Sequence, residues 1–388
     1  MLTVPLRAAR RFAIVRQHLS RAPKPDMLGT IRDLGCLQLD PTSAVAQSHL
    51  LVLWSRFGSY DRSELDRLLW TDRALFEYWA HAASIVLVDD LPIHSLRMRR
   101  FARGDSDYAA RVRAFVRENA SLRRSILQRL RSEGPLPASA LDGYSAKTWV
   151  SSGWTSGQGV VRMLEFMWAS GRVLVAGRKG RTRLWDLSER VLPDWAPAAR
   201  PSEREVVRLA AQRSLRALGV ATERDIRNHF TRSMYPNLPA VLAELERKGA
   251  VERVRIEGMR DDHFVHADDV PRLRGVDDTW AGRTMLLSPF DNLICDRERT
   301  ERLFGFRFRI EIYTPKHQRR YGYFVMPVLR GDRLVGRIDP ILDRRRGRLV
   351  INAVHAEDGV PERSVRAAVA TSAEELGEFL RADQVVYP

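Results

Sequence analysis

The chain has little cysteine and no long apolar run. Its 388 residues contain two cysteines, Cys36 and Cys295, which are far apart in the sequence and lie in apolar surroundings. This excludes a disulfide-rich secreted scaffold and predicts a protein of the reducing cytoplasm. No stretch approaches the roughly 18–20 apolar residues that a membrane helix needs, and arginines interrupt the apolar residues of the N-terminus. We therefore expect neither a membrane partner nor a targeting segment.

Histidine is also sparse. The nine histidines are dispersed and form no His-x-x-x-His motif or His/Cys cluster, so the sequence predicts no metal site. The carboxylate cluster that a two-metal nuclease needs is absent as well. We expect the protein to work without a cofactor.

Lysine is scarce, yet positive charge is abundant. Lysine and arginine together number 64 against 48 acidic residues, which leaves a formal net charge of +16. A GC-rich genome would favour arginine over lysine, but it would not create the excess of basic over acidic residues. Such an excess attracts polyanions and predicts salt-dependent binding to double-stranded DNA.

The predicted fold class is α+β, with tandem winged-helix modules and a C-terminal β-rich module. The clearest copy occupies residues 202–275: Ser202 and Thr222 can cap two helices, a third helix ends at Gly249, and VERVRI with DDHFVH reads as a hairpin. Three helices followed by a hairpin is the winged-helix order. Any other small α+β module remains the alternative.

Two weaker copies and a β-rich segment complete the predicted organisation. Residues 116–195 repeat the pattern, with a helix at Ser121–Arg131, a short helix in PLPASALDGY, a helix in GQGVVRMLEFMWASG and two strands around a basic turn. Residues 1–115 show helices at 6–20, 26–34 and near Asp40, without an identifiable wing. Residues 280–388 contain strand-like runs, among them FRFRIEIY and RYGYFVMPVLRG, and a closing helix at 361–381.

Two basic segments are candidates for DNA contact. On the predicted wing of the second module these are Arg178, Lys179 and Arg181. In KHQRRYGYF, basic residues alternate with tyrosine, a combination that suits phosphate contact and packing against sugars or exposed nucleobases. The candidate residues there are Lys316, Gln318, Arg319, Arg320 and Tyr321.

The segment LGCLQLDP carries the candidate chemistry. Gly35 should end a helix and leave Cys36–Leu39 extended, so that Gln38 and Asp40 project to the same side. The structural alternative is that Asp40 is an N-cap and Pro41 the first residue of a helix.

A glutamine and an aspartate suit the cleavage of an N-glycosidic bond. The reaction passes through an oxocarbenium-like sugar, which a carboxylate can stabilise, while an amide can orient the attacking water. A base that already carries a positive charge, such as N7-alkylguanine, needs no general acid to leave.

The chain resembles the AlkZ/YcaQ family of bacterial winged-helix DNA glycosylases. The similar segments are GCLQLDP, RSELDRLLW, LFEYWAHAAS, GRVLVAGRKG, SPFDNLICDRERTERLFGF and RRYGYFVMPVLRGDRLVGRID. The resemblance implies that Gln38 and Asp40 are catalytic, in the Gln-x-Asp form of the YcaQ-like branch, with Asp40 assisting the charged sugar and Gln38 positioning water. It also implies that KHQRRYGYF forms a β-hairpin that probes the minor groove.

Several polar residues are possible supporting elements. Glu77 and His81 are one helical turn apart, and either form a core pair or contact a lesion. Asp291 and Asn292 either stabilise a loop or contact DNA. Arg56 and Tyr60 are expected at the surface, where they either contact phosphate or are simply solvated.

The predicted function is that of a monomeric, monofunctional glycosylase, which excises N7-alkylguanine from double-stranded DNA and leaves an abasic site. Interstrand cross-links are a candidate second substrate. The alternative is a non-catalytic winged-helix transcriptional regulator. A regulator should prefer one sequence, whereas a repair enzyme should bind nearly any duplex.

Overall fold

A computed structural model describes residues 1–141, 159–231 and 234–388 of the chain. The helices are α1 (Leu6–Arg16), α2 (Met27–Leu34), α3 (Ser48–Phe57), α4 (Arg62–Asp66), α5 (Leu91–Arg100), α6 (Asp107–Glu118), α7 (Ala120–Glu133), α8 (Gly159–Ala169), α9 (Ser188–Val191), α10 (Glu203–Leu218), α11 (Glu223–Asn228), α12 (Leu238–Arg247), α13 (Val270–Arg274), α14 (Arg297–Phe304) and α15 (Glu362–Leu380). The strands are β1 (Leu2–Val4), β2 (Cys36–Gln38), β3 (Leu75–Trp79), β4 (Ala83–Leu87), β5 (Leu136–Pro137), β6 (Val173–Lys179), β7 (Thr182–Leu187), β8 (Val220–Ala221), β9 (Val251–Ile256), β10 (His263–His266), β11 (Thr284–Leu286), β12 (Met326–Arg330), β13 (Arg333–Asp343), β14 (Arg348–Ala356) and β15 (Gln384–Val386).

The chain divides into two compact units that do not follow sequence order. Unit 1 comprises Met1–Arg62, Ala80–Ala83 and Ala210–Pro388, and unit 2 comprises Ser63–Trp79 and Ser84–Leu209. The sequence analysis divided the chain differently, into four consecutive modules, and the boundaries of those modules stay a prediction.

The winged-helix order predicted for residues 202–275 is confirmed. The side chain of Thr222 accepts from the backbone N–H of Asp225, whose carboxylate accepts from the N–H of Thr222, a capping box that starts α11. After α12, strands β9 and β10 pair antiparallel as the wing. The sequence did not predict β1, which pairs with β9 in parallel.

The second copy is also recognisable. Helices α7 and α8 lie where the periodicity placed them, and β6 pairs antiparallel with β7 from Val173↔Leu187 to Lys179↔Thr182. The short helix expected in PLPASALDGY is only a 3-10 turn at Ala138–Leu141, preceded by β5. The end of that segment and the first residues of GQGVVRMLEFMWASG lie outside the described residues.

The first copy required two corrections. The third helix, α3, begins at Ser48 instead of near Asp40. LFEYWAHAAS, in which Glu77 and His81 were expected on a helix, forms the neighbouring strands β3 and β4 with the loop Ala80–Ala83 between them. The aromatic residues of β3 favour a strand. The four-residue spacing of Glu77 and His81 therefore does not reflect a helix.

The C-terminal part is a sheet in the order β11-β12-β13-β14-β15. Buried residues of α15, among them Val365, Ala373 and Leu376, share one core with the sheet and with α3. FRFRIEIY was expected to be a strand and is not: Phe306 and Phe308 are buried alternately, as in a strand, but that segment pairs with no neighbour in the described sheets. No helix of the described residues is both long enough and apolar enough to cross a membrane.

The hairpin predicted in KHQRRYGYF is absent as well. Lys316–Gln318 forms a 3-10 turn, and the backbone N–H groups of Arg320, Tyr321 and Gly322 donate to the carboxylate of Glu311. A side chain thus takes the place of the partner strand, and the segment from Glu311 to Tyr323 is a loop, which we call the Glu311 loop.

Candidate active site

The Gln-Leu-Asp motif of unit 1 follows a sharp turn out of α2. Asp26 caps the start of this helix by accepting from the N–H of Gly29, and Gly35 ends it with a φ of 82°. That left-handed conformation favours glycine. The chain then runs extended through β2, as predicted, and leaves Gln38 and Asp40 half-buried.

Asp40 does not cap a helix, so the structural alternative for this residue is wrong. Its Oδ1 accepts the backbone N–H of Thr42 at 2.9 Å, a local turn that aspartate commonly makes. Among the described residues Asp40 forms no ion pair and its Oδ2 accepts no hydrogen bond. One carboxylate oxygen is therefore available to a ligand.

The loop Ala80–Ala83 holds the motif from one side. The Nε2 of His81 lies 3.1 Å from the Oε1 of Gln38, and its Nδ1 lies 3.7 Å from the Sγ of Cys36. The N–H of Leu39 also donates to the carbonyl of Ala83 at 2.8 Å. With the Nε2–H tautomer, His81 donates to Gln38 Oε1 and leaves the amide NH2 group to face a ligand.

Asn292 holds the motif from the other side. Its Nδ2 donates to the carbonyl of Cys36 at 2.8 Å and to that of Leu34 at 3.3 Å. Because Asn292 is buried, both bonds are shielded from water. This contact positions the strand that carries Gln38.

The neighbouring Asp291 forms a buried ion pair with Arg56. The two guanidinium ends of Arg56 donate to the two carboxylate oxygens, one bond being 3.0 Å long, and both side chains are 0% exposed. Arg56 also donates to the carbonyl of Gln17 at 3.0 Å. The expectation that Arg56 lies at the surface is wrong: the acidic residue that neutralises it lies 235 positions away in the sequence.

The loop between Asp40 and α3 is anchored by residues that the sequence did not single out. The N–H of Leu342 donates to the carbonyl of Ala44, and Arg344 donates to that of Val45, both at 3.0 Å. The hydroxyls of Ser48 and Ser288 lie 3.2 Å apart in the core. Of these residues, the sequence analysis pointed only to Ser288, as part of the polar SPFDN segment, and the local sequence does not reveal that Ser48 is its partner.

Glu77 has a different role from the predicted pairing with His81. In unit 2 its carboxylate is 1% exposed and accepts two bonds from Arg178, at 2.5 and 2.8 Å, with Arg183 at 3.4 Å. Arg178 is thus engaged within the protein, whereas Lys179 and Arg181 of the same wing are exposed.

The Glu311 loop presents most of its predicted contact residues to solvent. Lys316, Gln318 and Arg320 are exposed. Tyr321 is half-buried. The guanidinium carbons of Arg320 and Arg337 lie 4.9 and 4.1 Å from the centroid of its ring. The sequence analysis missed Tyr313 of the same loop, which is 89% exposed.

A polar cavity of about 300 Å³ adjoins His81 in unit 1. His229 lines it, and burial first, then the nearby charges of His81 and Arg299, lower its pKa to about 3. His229 is therefore neutral near pH 7. No group of three or more His, Cys, Asp or Glu residues in the described part of the chain could hold a metal ion.

Within the described residues, the motif thus combines a carboxylate oxygen available to a ligand, an amide oriented by His81 and a strand held by Asn292. The family model for AlkZ-like DNA glycosylases matches residues 31–379. The chain therefore belongs to that family, and it is a DNA glycosylase that acts on DNA.

A solved structure is similar over the full length of both chains. It is the Streptomyces sahachiroi DNA glycosylase AlkZ, which covers 100% of each chain with a TM-score of 0.66 and 17% sequence identity. At that identity the likeness concerns the fold, which is of the α+β winged-helix type predicted above.

Proposed function

We propose that this glycosylase excises N7-alkylguanine, and that Gln38 and Asp40 are its catalytic residues. The observation that carries the proposal is that, among the described residues of this strongly basic protein, no group pairs with the Oδ2 of Asp40. A carboxylate without an ion pair can stabilise positive charge on a sugar, because no arginine competes for it.

The donor and acceptor pattern suits a water molecule. The amide NH2 group of Gln38, left available by the His81 contact, donates to the water oxygen, and Asp40 Oδ2 accepts one of its protons. The water is thereby aimed at the sugar carbon while its proton already has an acceptor.

The reaction balances without an acid. The bond between C1′ and N9 breaks and its electron pair goes to the cationic base, which leaves as neutral 7-alkylguanine. Water adds to C1′, its proton passes to Asp40, and the product is an abasic site. The motif contains no lysine to form a Schiff base, so the strand stays intact.

The exposed basic residues supply sequence-independent binding in this proposal. Lys179, Arg181, Lys316 and Arg320 contact phosphates, and the Glu311 loop contacts the minor groove. Cross-linked guanines are a second substrate, and the protein acts as a monomer.

Base release from DNA containing N7-methylguanine tests the proposal. Asp40→Asn should lower the single-turnover rate by about 10²–10³-fold, and Gln38→Ala by about 10²-fold, with DNA affinity unchanged. Asp358→Asn is a matched control, since Asp358 is an exposed aspartate of unit 1 that lies outside the motif and outside the segments that anchor it. Wild-type release no faster than in buffer would refute the lesion assignment, and full activity of both variants would refute the residue assignment.

A further inference from the structure

Unit 2 contains a wide groove that the glycosylase site does not use. Its volume is about 990 Å³, and its lining comes from α5, α6, α7, α8 and the segments beside them. The floor is apolar and includes the buried residues Val112, Met163, Phe166 and Met167.

The rim of this groove is strongly basic. Eight of its lining residues are arginine, and no acidic residue of the described chain lines it. Arg103, Arg117, Arg123 and Arg124 are exposed. Within the described residues none of the eight forms an ion pair, whereas arginines elsewhere in unit 2, such as Arg178 and Arg129, are paired with glutamate.

Two of the rim arginines are held in place without being neutralised. Arg113 donates to the carbonyls of Ala102 and Gly104 at 2.8 and 2.7 Å, and Arg99 donates to the hydroxyl of Ser95 at 2.8 Å. These neutral acceptors orient the guanidinium groups and leave their charge available to a ligand.

We propose that this groove binds an acidic, amphipathic segment of a partner protein. Carboxylates of the segment pair with the rim arginines, and its apolar side chains fill the floor between them. The combination of a groove and charge complementarity gives both affinity and specificity for such a segment.

Other anions match the groove less well. Duplex DNA supplies phosphates but keeps its apolar surface inside the base stack, so the floor would stay uncovered. An anionic lipid has an apolar chain but carries its charge at one end, where one or two arginines suffice. Charges along the whole rim require several acidic groups interspersed with apolar ones.

A labelled synthetic peptide in which aspartates are interspersed with leucines is the probe, measured by fluorescence anisotropy with the full-length protein. A second peptide of equal charge, with serine in place of leucine, measures binding by charge alone. The leucine peptide should bind at least about 10-fold more tightly than the serine peptide, because only it can cover the floor.

Charge-reversal variants locate the site. Arg117→Glu combined with Arg124→Glu should weaken the leucine peptide by about 10-fold or more. Arg345→Glu combined with Arg348→Glu, exposed arginines of unit 1, is the matched control and should change the affinity less than twofold. Circular dichroism on heating verifies that each variant is folded.

Three outcomes would overturn the proposal. The first is equal affinity for the two peptides, and the second is an equal loss of peptide affinity in the rim and control variants. The last is a rim variant that loses affinity for unmodified duplex DNA or anionic vesicles while its peptide affinity stays unchanged. The first would mean non-specific attraction to a basic protein, and the last a nucleic-acid or membrane surface.

Discussion

The surroundings of the Gln-Leu-Asp motif in unit 1 and the groove of unit 2 use arginine in opposite ways. Beside the motif, Arg56 is fully buried, paired with Asp291 and bonded to backbone carbonyls. Around the groove, arginines such as Arg117 and Arg124 are exposed and have no acidic partner in the part of the chain that the structure describes. Arginine therefore stabilises the structure around the motif and provides charge for a ligand at the groove. In an arginine-rich chain, composition alone does not identify the residues that bind a ligand.

The largest expected difference between the two regions concerns stability. Arg56→Ala should lower the free energy of unfolding by about 3–5 kcal/mol, because it leaves the buried Asp291 without its partner. Arg117→Ala, the same change at the groove, should stay within about 0.5 kcal/mol. Chemical denaturation of both variants measures the free energy of unfolding. Similar losses of stability in the two variants would contradict the different roles of Arg56 and Arg117.

Asn292→Ala tests whether the bracing serves catalysis. Loss of the bonds to the carbonyls of Cys36 and Leu34 should lower single-turnover base release by about 10²-fold, since a small displacement of reacting groups has that effect. DNA affinity should stay within about twofold. Asn352→Ala, which removes an exposed side chain that donates to Asp339, is the control. Equal rates in the two variants would contradict a positioning role.

Arg178 and Lys179, neighbours on the wing of unit 2, test the same contrast between a paired and an exposed basic residue. Arg178→Ala should lower the unfolding free energy by about 1–3 kcal/mol, because the buried Glu77 loses two hydrogen bonds. Lys179→Ala should leave stability unchanged and reduce the slope of log affinity for DNA against log salt by about one. Denaturation and salt titration separate the two, and an unchanged slope would show that Lys179 does not contact phosphate.

His81→Phe keeps a ring but removes both nitrogens. If His81 orients the Gln38 amide, base release should fall by about 10-fold, the equivalent of one hydrogen bond of about 1.4 kcal/mol. The rate is measured with the enzyme in saturating excess over DNA, so that a change in DNA affinity does not enter the comparison with wild type. An unchanged single-turnover rate in His81→Phe would assign the contact to structure alone.

The smallest effect is expected from Glu311→Gln. Burial raises the pKa of Glu311, but the three backbone N–H donors and Arg337 outweigh it and lower the pKa below its ordinary value. A lowered pKa in the folded state means that the contribution to stability is present at neutral pH and is lost as the pH falls through the folded-state pKa. The difference in melting temperature between wild type and variant should thus be constant from pH 8 to about pH 5 and vanish in stronger acid, whereas a difference that grows with acid would contradict the assignment.

Local patterns predicted much of the fold because they act over short distances. Caps and glycines set the ends of α2 and α11, and the hydrophobic period placed α8 and α15. The errors occurred where a distant partner decides: aromatic residues at helical spacing became β3, and Glu311 replaced a strand as the acceptor for the loop around Tyr321.

By itself the sequence determined that this is a basic, winged-helix DNA protein with a Gln-Leu-Asp motif in extended chain, because composition, helix caps and strand alternation are local properties. Only the tertiary structure decided which charges remain available. Arg56 and Arg178 are neutralised by acidic residues 235 and 101 positions away. Asp40 has no basic partner among residues 1–141, 159–231 and 234–388. Pairing between distant residues depends on how the chain folds back on itself, and neither composition nor spacing records it.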